Sequence, residues 1–184
     1  RYYPPRAVEI LEKELGARKG PDGIYVLPDG TRLSFTAQTP YGWTDWMAAL
    51  EVVSQSARQV GIEVRTEFPE APVVTANVQR GNFDLALWYV SGVGPASPWT
   101  RFRDVMDDRA AAPIGEQTFQ NYGRFSHPEV AGLLDRAAQA GSVAELRQIY
   151  GQLDRIFMEN VPAIPLMYRP LAFYEFNDTH WTGF

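Results

Sequence analysis

The sequence predicts an α/β fold, a mixed and partly parallel sheet flanked by helices, on three observations. Residues 62–68 read as a strand, 83–89 is an apolar run of strand length, and helical patterns at 44–60 and 73–80 precede them. Strands alternating with helices at this spacing make βαβ crossovers, whose strands are parallel and whose connections are right-handed. The run at 83–89 then stops at Val90-Ser91-Gly92-Val93-Gly94-Pro95-Ala96-Ser97-Pro98, a loop rich in turn formers. Open α/β sheets bind ligands at such places, beyond the carboxyl ends of their strands.

The elements follow in order. Pro4 and Pro5 suit the first turn of a helix, where a missing N–H costs nothing. Ala7, Val8, Ile10, Leu11 and Leu15 give that helix its apolar face, and Gly16 its stop. Residues 24–27, the turn Pro28-Asp29-Gly30 and residues 32–38 read as a β-hairpin. Thr44 is placed to cap a helix carrying Met47, Leu50, Val53, Ala57 and Val60 on one face, closed by Gly61. After the two crossovers, residues 90–125 carry little periodicity beyond a turn of helix at 99–106. A stretch this long without regular elements is either functional or disordered. Trp99, Phe102, Phe119, Tyr122 and Phe125 within it point to an ordered and functional one.

Two helices complete the pattern. Ser126-His127-Pro128-Glu129 reads as a capping box before the stripe Val130, Leu133, Leu134, Ala137 and Ala138. Ser142-Val143-Ala144-Glu145 is a second, before Leu146, Ile149, Tyr150, Leu153, Ile156 and Phe157. The proline-rich segment 161–165 breaks the last helix, and residues 166–176 supply one or two final strands. Residues 1–184 are read as a single α/β unit, and the start at Arg1-Tyr2-Tyr3-Pro4-Pro5, without Met, as the edge of a piece of a longer protein.

Composition narrows the function. A net charge of −5, with no cluster of Lys and Arg, argues against nucleic acid. No apolar run reaches the length of a membrane span. The absence of cysteine excludes disulfides, thiolate metal sites and a Cys nucleophile. Aromatic residues make up 13% of the chain, and three of the five tryptophans, Trp43, Trp99 and Trp181, sit directly beside Gly, Pro or Thr.

At this point the chain resembles a known family. The order of helix, Asp22-Gly23, strand, helix 48–60, Gly61-Ile62-Glu63-Val64 and Gly81-Asn82-Phe83-Asp84 is similar to the C-terminal lobe of family 5 extracytoplasmic solute-binding proteins of ABC importers. Asn121-Tyr122-Gly123-Arg124-Phe125-Ser126-His127-Pro128-Glu129-Val130, Glu145-Leu146-Arg147-Gln148-Ile149-Tyr150 and Val161-Pro162-Ala163-Ile164-Pro165-Leu166 resemble later segments in the right order. The resemblance implies a periplasmic-binding-protein-like lobe whose missing partner lobe supplies the other half of a clamp. It also implies an extracytoplasmic location and a membrane permease as partner. Peptide receptors of that family carry an acid in the loop after the Trp-bearing strand, and the loop from Tyr89 to Trp99 has none. Tyr41-Gly42-Trp43-Thr44-Asp45-Trp46 and the segment from Glu175 to Phe184 resemble the oligosaccharide receptors instead, of cello-oligosaccharide type. The expected ligand is therefore an oligosaccharide, with an oligopeptide as the alternative.

A neutral sugar presents C–H faces and hydroxyls, so its receptor needs aromatic platforms with amide, hydroxyl and guanidinium donors. The candidate ligand-binding residues are Tyr41, Trp43, Trp88, Tyr89, Ser91, Trp99, Asn121, Tyr122 and Arg124. Strand alternation puts Trp88 and Tyr89 on opposite faces, so one of them is expected under a helix. Trp46, inside a helix, is expected in packing, Asn121 could equally close a turn, and Asp84 is expected to make a structural bond. A glycoside hydrolase needs two carboxylates about 5 to 10 Å apart across the scissile bond. Asp45 and Glu51 fall on different helix faces, and Asp104, Asp107 and Asp108 read as a solvated cluster. His127 and His180 lack the neighbours of a zinc site or a triad. Neither catalysis nor a cofactor is expected.

Overall fold

The computed structural model describes residues 3–90 and 98–167. A helix α1 (Pro4–Glu9) with Pro in its first turn widens into a π turn (Ile10–Glu14), closed by Leu15 N–H donating to Ile10 C=O at 2.9 Å. Leu11 is buried, whereas Leu15, expected on the apolar face, is exposed because the wider turn rotates it outward. A small antiparallel ribbon follows, β1 (Arg18–Lys19) with β2 (Tyr25–Val26).

The hairpin expected at Pro28-Asp29-Gly30 forms only its turn and one antiparallel bridge, Val26 with Arg32. The following segment leaves it and becomes β3 (Ser34–Gln38), the centre of a second, three-stranded sheet. Helix α2 (Thr44–Gln59) leads from β3 to β4 (Glu63–Glu67), and α3 (Ala71–Arg80) leads from β4 to β5 (Leu85–Ala86). The strand order is β4-β3-β5 with both pairings parallel, as the two predicted crossovers require. Trp43, not Thr44, holds the N-cap position of α2 and gives no side-chain cap.

The segment Gly81-Asn82-Phe83-Asp84 is explained by the turn it makes. Gly81 ends α3 at φ +78, and a Cβ there would lie 2.9 Å from Arg124 Nη1, so both backbone and neighbour call for glycine. Asn82 C=O accepts from Gln38 Nε2 at 3.0 Å, and Asp84 Oδ2 accepts from Thr36 N–H at 2.9 Å. Asp84 is thus a structural residue, spent on the neighbouring strand. The strand expected over 83–89 shrinks to two residues, with Leu85 exposed.

The helical half begins with α4 (Pro98–Met106), nine residues where a single turn was expected. A 3-10 turn (Asp108–Ala110) and an irregular segment lead to α5 (Val130–Gln139) and α6 (Val143–Asn160). Met106, Val130, Leu133, Leu134, Ala137, Ile149, Leu153 and Ile156 form the largest core, with Trp99, Phe102, Phe125, Tyr150 and Phe157 packed on it. Two smaller cores lie under the ribbon (Leu11, Ala17, Tyr25, Leu33) and between sheet and α2 (Ala37, Leu50, Val64).

The two capping boxes part ways. Ser142 Oγ accepts from Glu145 N–H at 3.2 Å, and Glu145 Oε2 reaches back to Gly141 N–H at 3.2 Å. Ser126 instead gives its hydroxyl to Asp108, and α5 starts with Glu129 at the N-cap and no side-chain cap. The final strands predicted over 166–176 lie almost wholly outside the described residues; Leu166 and Met167 are exposed and in no strand.

Candidate functional site

β3 and β5 run parallel in register, Gln38 beside Ala86, so the residues that follow each strand emerge together at the carboxyl end of the sheet. Leu87 N–H donates to Gln38 C=O at 3.0 Å and carries the pairing one residue further. Trp43 after β3 and Trp88 after β5 then stack, ring centroids 6.0 Å apart and planes at 14°. Tyr89 stacks on Trp88 at 5.0 Å, and Trp46 meets Trp43 edge-on at 4.9 Å and Tyr89 at 6.3 Å. Offset stacking and edge-to-face contacts at these separations are the favourable geometries of aromatic pairs.

Alternation therefore fails at Trp88 and Tyr89. The strand ends at Ala86, so the two rings turn to the same cluster instead of opposite faces. Trp46, expected in packing, is the residue that sequence reasoning undervalued. Its signal was the spacing of three from Trp43 over the first helical turn, which puts both on one face. Tyr41 and Tyr89 are 63% and 53% exposed, and Trp43, Trp46 and Trp88 are half-buried, so the cluster stands open to solvent. A cavity of about 360 Å³ lies at its rim, lined by Gly42, Trp43, Thr44 and Asp45. A larger one, about 430 Å³, is lined by Thr36, Gln38, Glu67, Asn77, Asn82 and Asp84 among others and by none of these rings.

Tyr122 approaches from the irregular segment. Its hydroxyl is held above the usual tyrosine range by burial and then by the charge of Tyr89, with a smaller push from Asp104. The Trp88 indole N–H pulls the other way, near the Tyr122 oxygen but outside hydrogen-bonding geometry.

The remaining candidates serve the scaffold. Trp99 packs on the helical core and donates its Nε1–H to Leu134 C=O at 2.9 Å, with the Arg103 guanidinium over its ring at 5.0 Å. Asn121 is 1% exposed at φ +45, and its amide is committed to Asp107 C=O, Phe125 C=O and Phe125 N–H. Arg124 donates to the carbonyls of Gln79, Ala112, Glu116 and Tyr122 at 2.9 to 3.1 Å, so it is neither a solvated surface charge nor free for a ligand. Ser91 lies outside the described residues. The acidic cluster also differs from expectation. Asp104 and Asp107 are each 5% exposed, buried by ion pairs to Arg103 and Arg109, and only Asp108 is exposed. Among the described residues no three His, Asp or Glu gather as metal ligands, and no helix is long and apolar enough to cross a membrane.

No known family profile matches the chain. It is 25% identical over 182 residues to a probable ABC transporter-binding protein of Deinococcus radiodurans, covering 93% of this chain and 30% of that protein. Its fold superposes with a TM-score of 0.84 and 32% identity on a periplasmic oligopeptide-binding protein of an ABC transporter from Thermotoga maritima, solved with mannohexaose bound. That match covers 92% of this chain and 31% of the other. The Bacillus subtilis oligopeptide-binding protein AppA, solved with a nonapeptide, shares the fold at a TM-score of 0.71 and 22% identity over 88% of this chain and 31% of its own. The chain thus spans about 30% of the length of its relatives. Those relatives are the family 5 oligopeptide- and solute-binding proteins of ABC importers, and this chain has the sequence likeness and the fold of one stretch of them.

Proposed function

We propose that the chain is one lobe of the solute-binding component of an ABC importer, and that it captures an oligosaccharide against Trp43, Trp46, Trp88 and Tyr89. The observation that carries this reading is the open ring cluster at the carboxyl end of the parallel sheet. Aromatic faces suit the C–H faces of a sugar, and their edges and neighbouring hydroxyls suit its polar rim. The likeness to a protein solved with mannohexaose supports the same ligand class.

The mechanism follows from a two-lobed clamp. A ligand that touches both lobes only in the closed state shifts the open–closed equilibrium by its differential affinity. The closed form is the one a membrane permease recognises, on the extracytoplasmic side. No covalent step and no cofactor enter this scheme. The isolated lobe makes half the contacts and gains nothing from closure, so its affinity is weaker than micromolar. The second reading is an oligopeptide ligand, favoured because that same Thermotoga relative is an oligopeptide-binding protein.

Tryptophan fluorescence of the full-length protein, titrated in parallel with cello-oligosaccharides, manno-oligosaccharides and short peptides, separates the two. Saturable change with a sugar alone is the expected result. Response to peptides alone overturns the oligosaccharide assignment, and micromolar or tighter binding by the 184-residue chain overturns the half-site.

A further inference from the structure

The cavity that meets the ring cluster measures about 360 Å³ and is lined by Gly42, Trp43, Thr44 and Asp45. Tyr41 N–H donates to Pro69 C=O at 2.8 Å and Trp43 N–H to Pro40 C=O at 3.3 Å, so the turn that walls it is pinned. Gly42 stands at φ +84, and a Cβ there would meet nothing within 4 Å. The glycine answers to the left-handed backbone, and it leaves bare main chain open to a ligand.

The lining joins two chemistries. Among the described residues, Trp43 is the ring of the cluster that borders the cavity, and Asp45 is the charged group. Trp88, stacked on Trp43 at 6.0 Å, and Trp46, edge-on at 4.9 Å, set the Trp43 ring in place before a ligand arrives. Thr44 and Asp45 are exposed and open α2, which fixes their offset from Trp43. An aromatic face takes the C–H face of a sugar, while a carboxylate accepts hydrogen bonds from its hydroxyls. The same carboxylate repels another, and among the described residues no Lys or Arg lines the cavity to offset it.

We infer that Asp45 is the specificity-determining residue of this cavity, which seats a neutral sugar unit against Trp43 and rejects acidic sugars. The inference rests on the oligosaccharide reading above and narrows it. Asp45 accepts from hydroxyls at the edge of the unit whose C–H face lies on Trp43, with the Thr44 hydroxyl beside it to donate or accept. A uronate unit of the same size brings its own carboxylate into that space, losing the hydrogen bond and gaining the repulsion. The chain's net charge of −5 acts on every anion alike, so substitution at position 45 isolates the local effect.

The test is a fluorescence titration of the full-length protein with cellohexaose, mannohexaose and hexagalacturonate, in native form and as Asp45→Asn and Asp45→Ser. The native protein should favour the better neutral sugar over hexagalacturonate by at least about 10-fold. Each variant should lose about 10-fold in affinity for that neutral sugar, the scale of one charge-assisted hydrogen bond, and keep its affinity for hexagalacturonate. Asn and Ser both suit a helix start, and should one variant fold poorly the other carries the comparison. A purely structural role at the start of α2 would lower the melting temperature and leave the preference between sugars as it was. A native protein that binds hexagalacturonate as tightly as the neutral sugars, or variants with the native preference, overturn the role of Asp45 while the ring platform stands. A protein whose fluorescence answers to no sugar, neutral or acidic, overturns the oligosaccharide reading itself. A response to short peptides that N-acetylation abolishes, with none to sugars, gives Asp45 to an ammonium group and overturns both.

Discussion

Trp88 and Trp99 stand eleven residues apart, and the difference between them separates the two halves of the molecule. Trp99 is finished: its ring lies on the helical core and its N–H has found Leu134 C=O. Trp88 is half-buried and stacked between two other rings, and its buried N–H has no hydrogen-bond partner among the described residues. Phe102 and Tyr150, stacked at 6.0 Å, pack against the helical core as Trp99 does, whereas Trp43, Trp46 and Tyr89 belong to the ring cluster of Trp88. Aromatic residues used for stability are enclosed by aliphatic neighbours. Those at the sheet end stack on one another, and none of them is among the residues packed on a core.

Substitutions on either side should break along this line. Leu153→Ala, at the centre of the helical core, should cost about 2–5 kcal/mol in denaturant unfolding. It should leave ligand affinity unchanged in whatever remains folded. Asn121→Ala comes next, at roughly 2 kcal/mol, because it strands Phe125 N–H and two carbonyls inside the irregular segment. Trp43→Ala should cost no more than about 1.5 kcal/mol of stability, the worth of its ring contacts, yet remove most of the fluorescence response to oligosaccharide. A stability loss as large as that of Leu153→Ala would place Trp43 with the core and erase the distinction. Ser142→Ala should lower the melting temperature by the equivalent of about 1 kcal/mol through the lost cap of α6, and nothing else.

The smallest effect is on acid stability. Burial pushes the Asp107 carboxyl up, but hydrogen bonds from Arg109, the Arg109 backbone N–H and the charges of Arg109 and Arg103 outweigh it, so its pKa is lowered. A carboxyl depressed in the folded state stabilises above its unfolded value of about 3.9. That contribution disappears as pH falls through the lower folded value. Melting temperature should therefore drop on acidification below about pH 4 in the native chain and drop less steeply in Asp107→Asn.

The parts of the fold that were legible in the sequence are those whose partners lie close in the chain. The second capping box joins Ser142 to Glu145, three residues on, and forms as read. The first fails because Ser126 finds Asp108, eighteen residues earlier, which no local pattern announces. Strand alternation misplaced Trp88 and Tyr89 because β5 pairs for only two residues, too short for a period of two to carry on. Within the site, Trp43 and Trp88 were visible as aromatics at the ends of two strands, but their convergence depends on the parallel register of β3 and β5. The burial of Asp104 and Asp107 had a sequence signal that went unread: each has an arginine within two residues to neutralise it.

Arg124 has one more consequence. A protease that cleaves after arginine must draw the guanidinium into its own acidic pocket and pull the surrounding chain into an extended form. Here the group is bound to four carbonyls, one of them Gln79 in the last turn of α3, and its own backbone is left-handed at φ +53. Digestion by trypsin at this bond requires the irregular segment to come away from α3 first. Arg124 therefore reports opening of that joint, and the rate of the cut measures how often the seam between the sheet and the helical half comes apart.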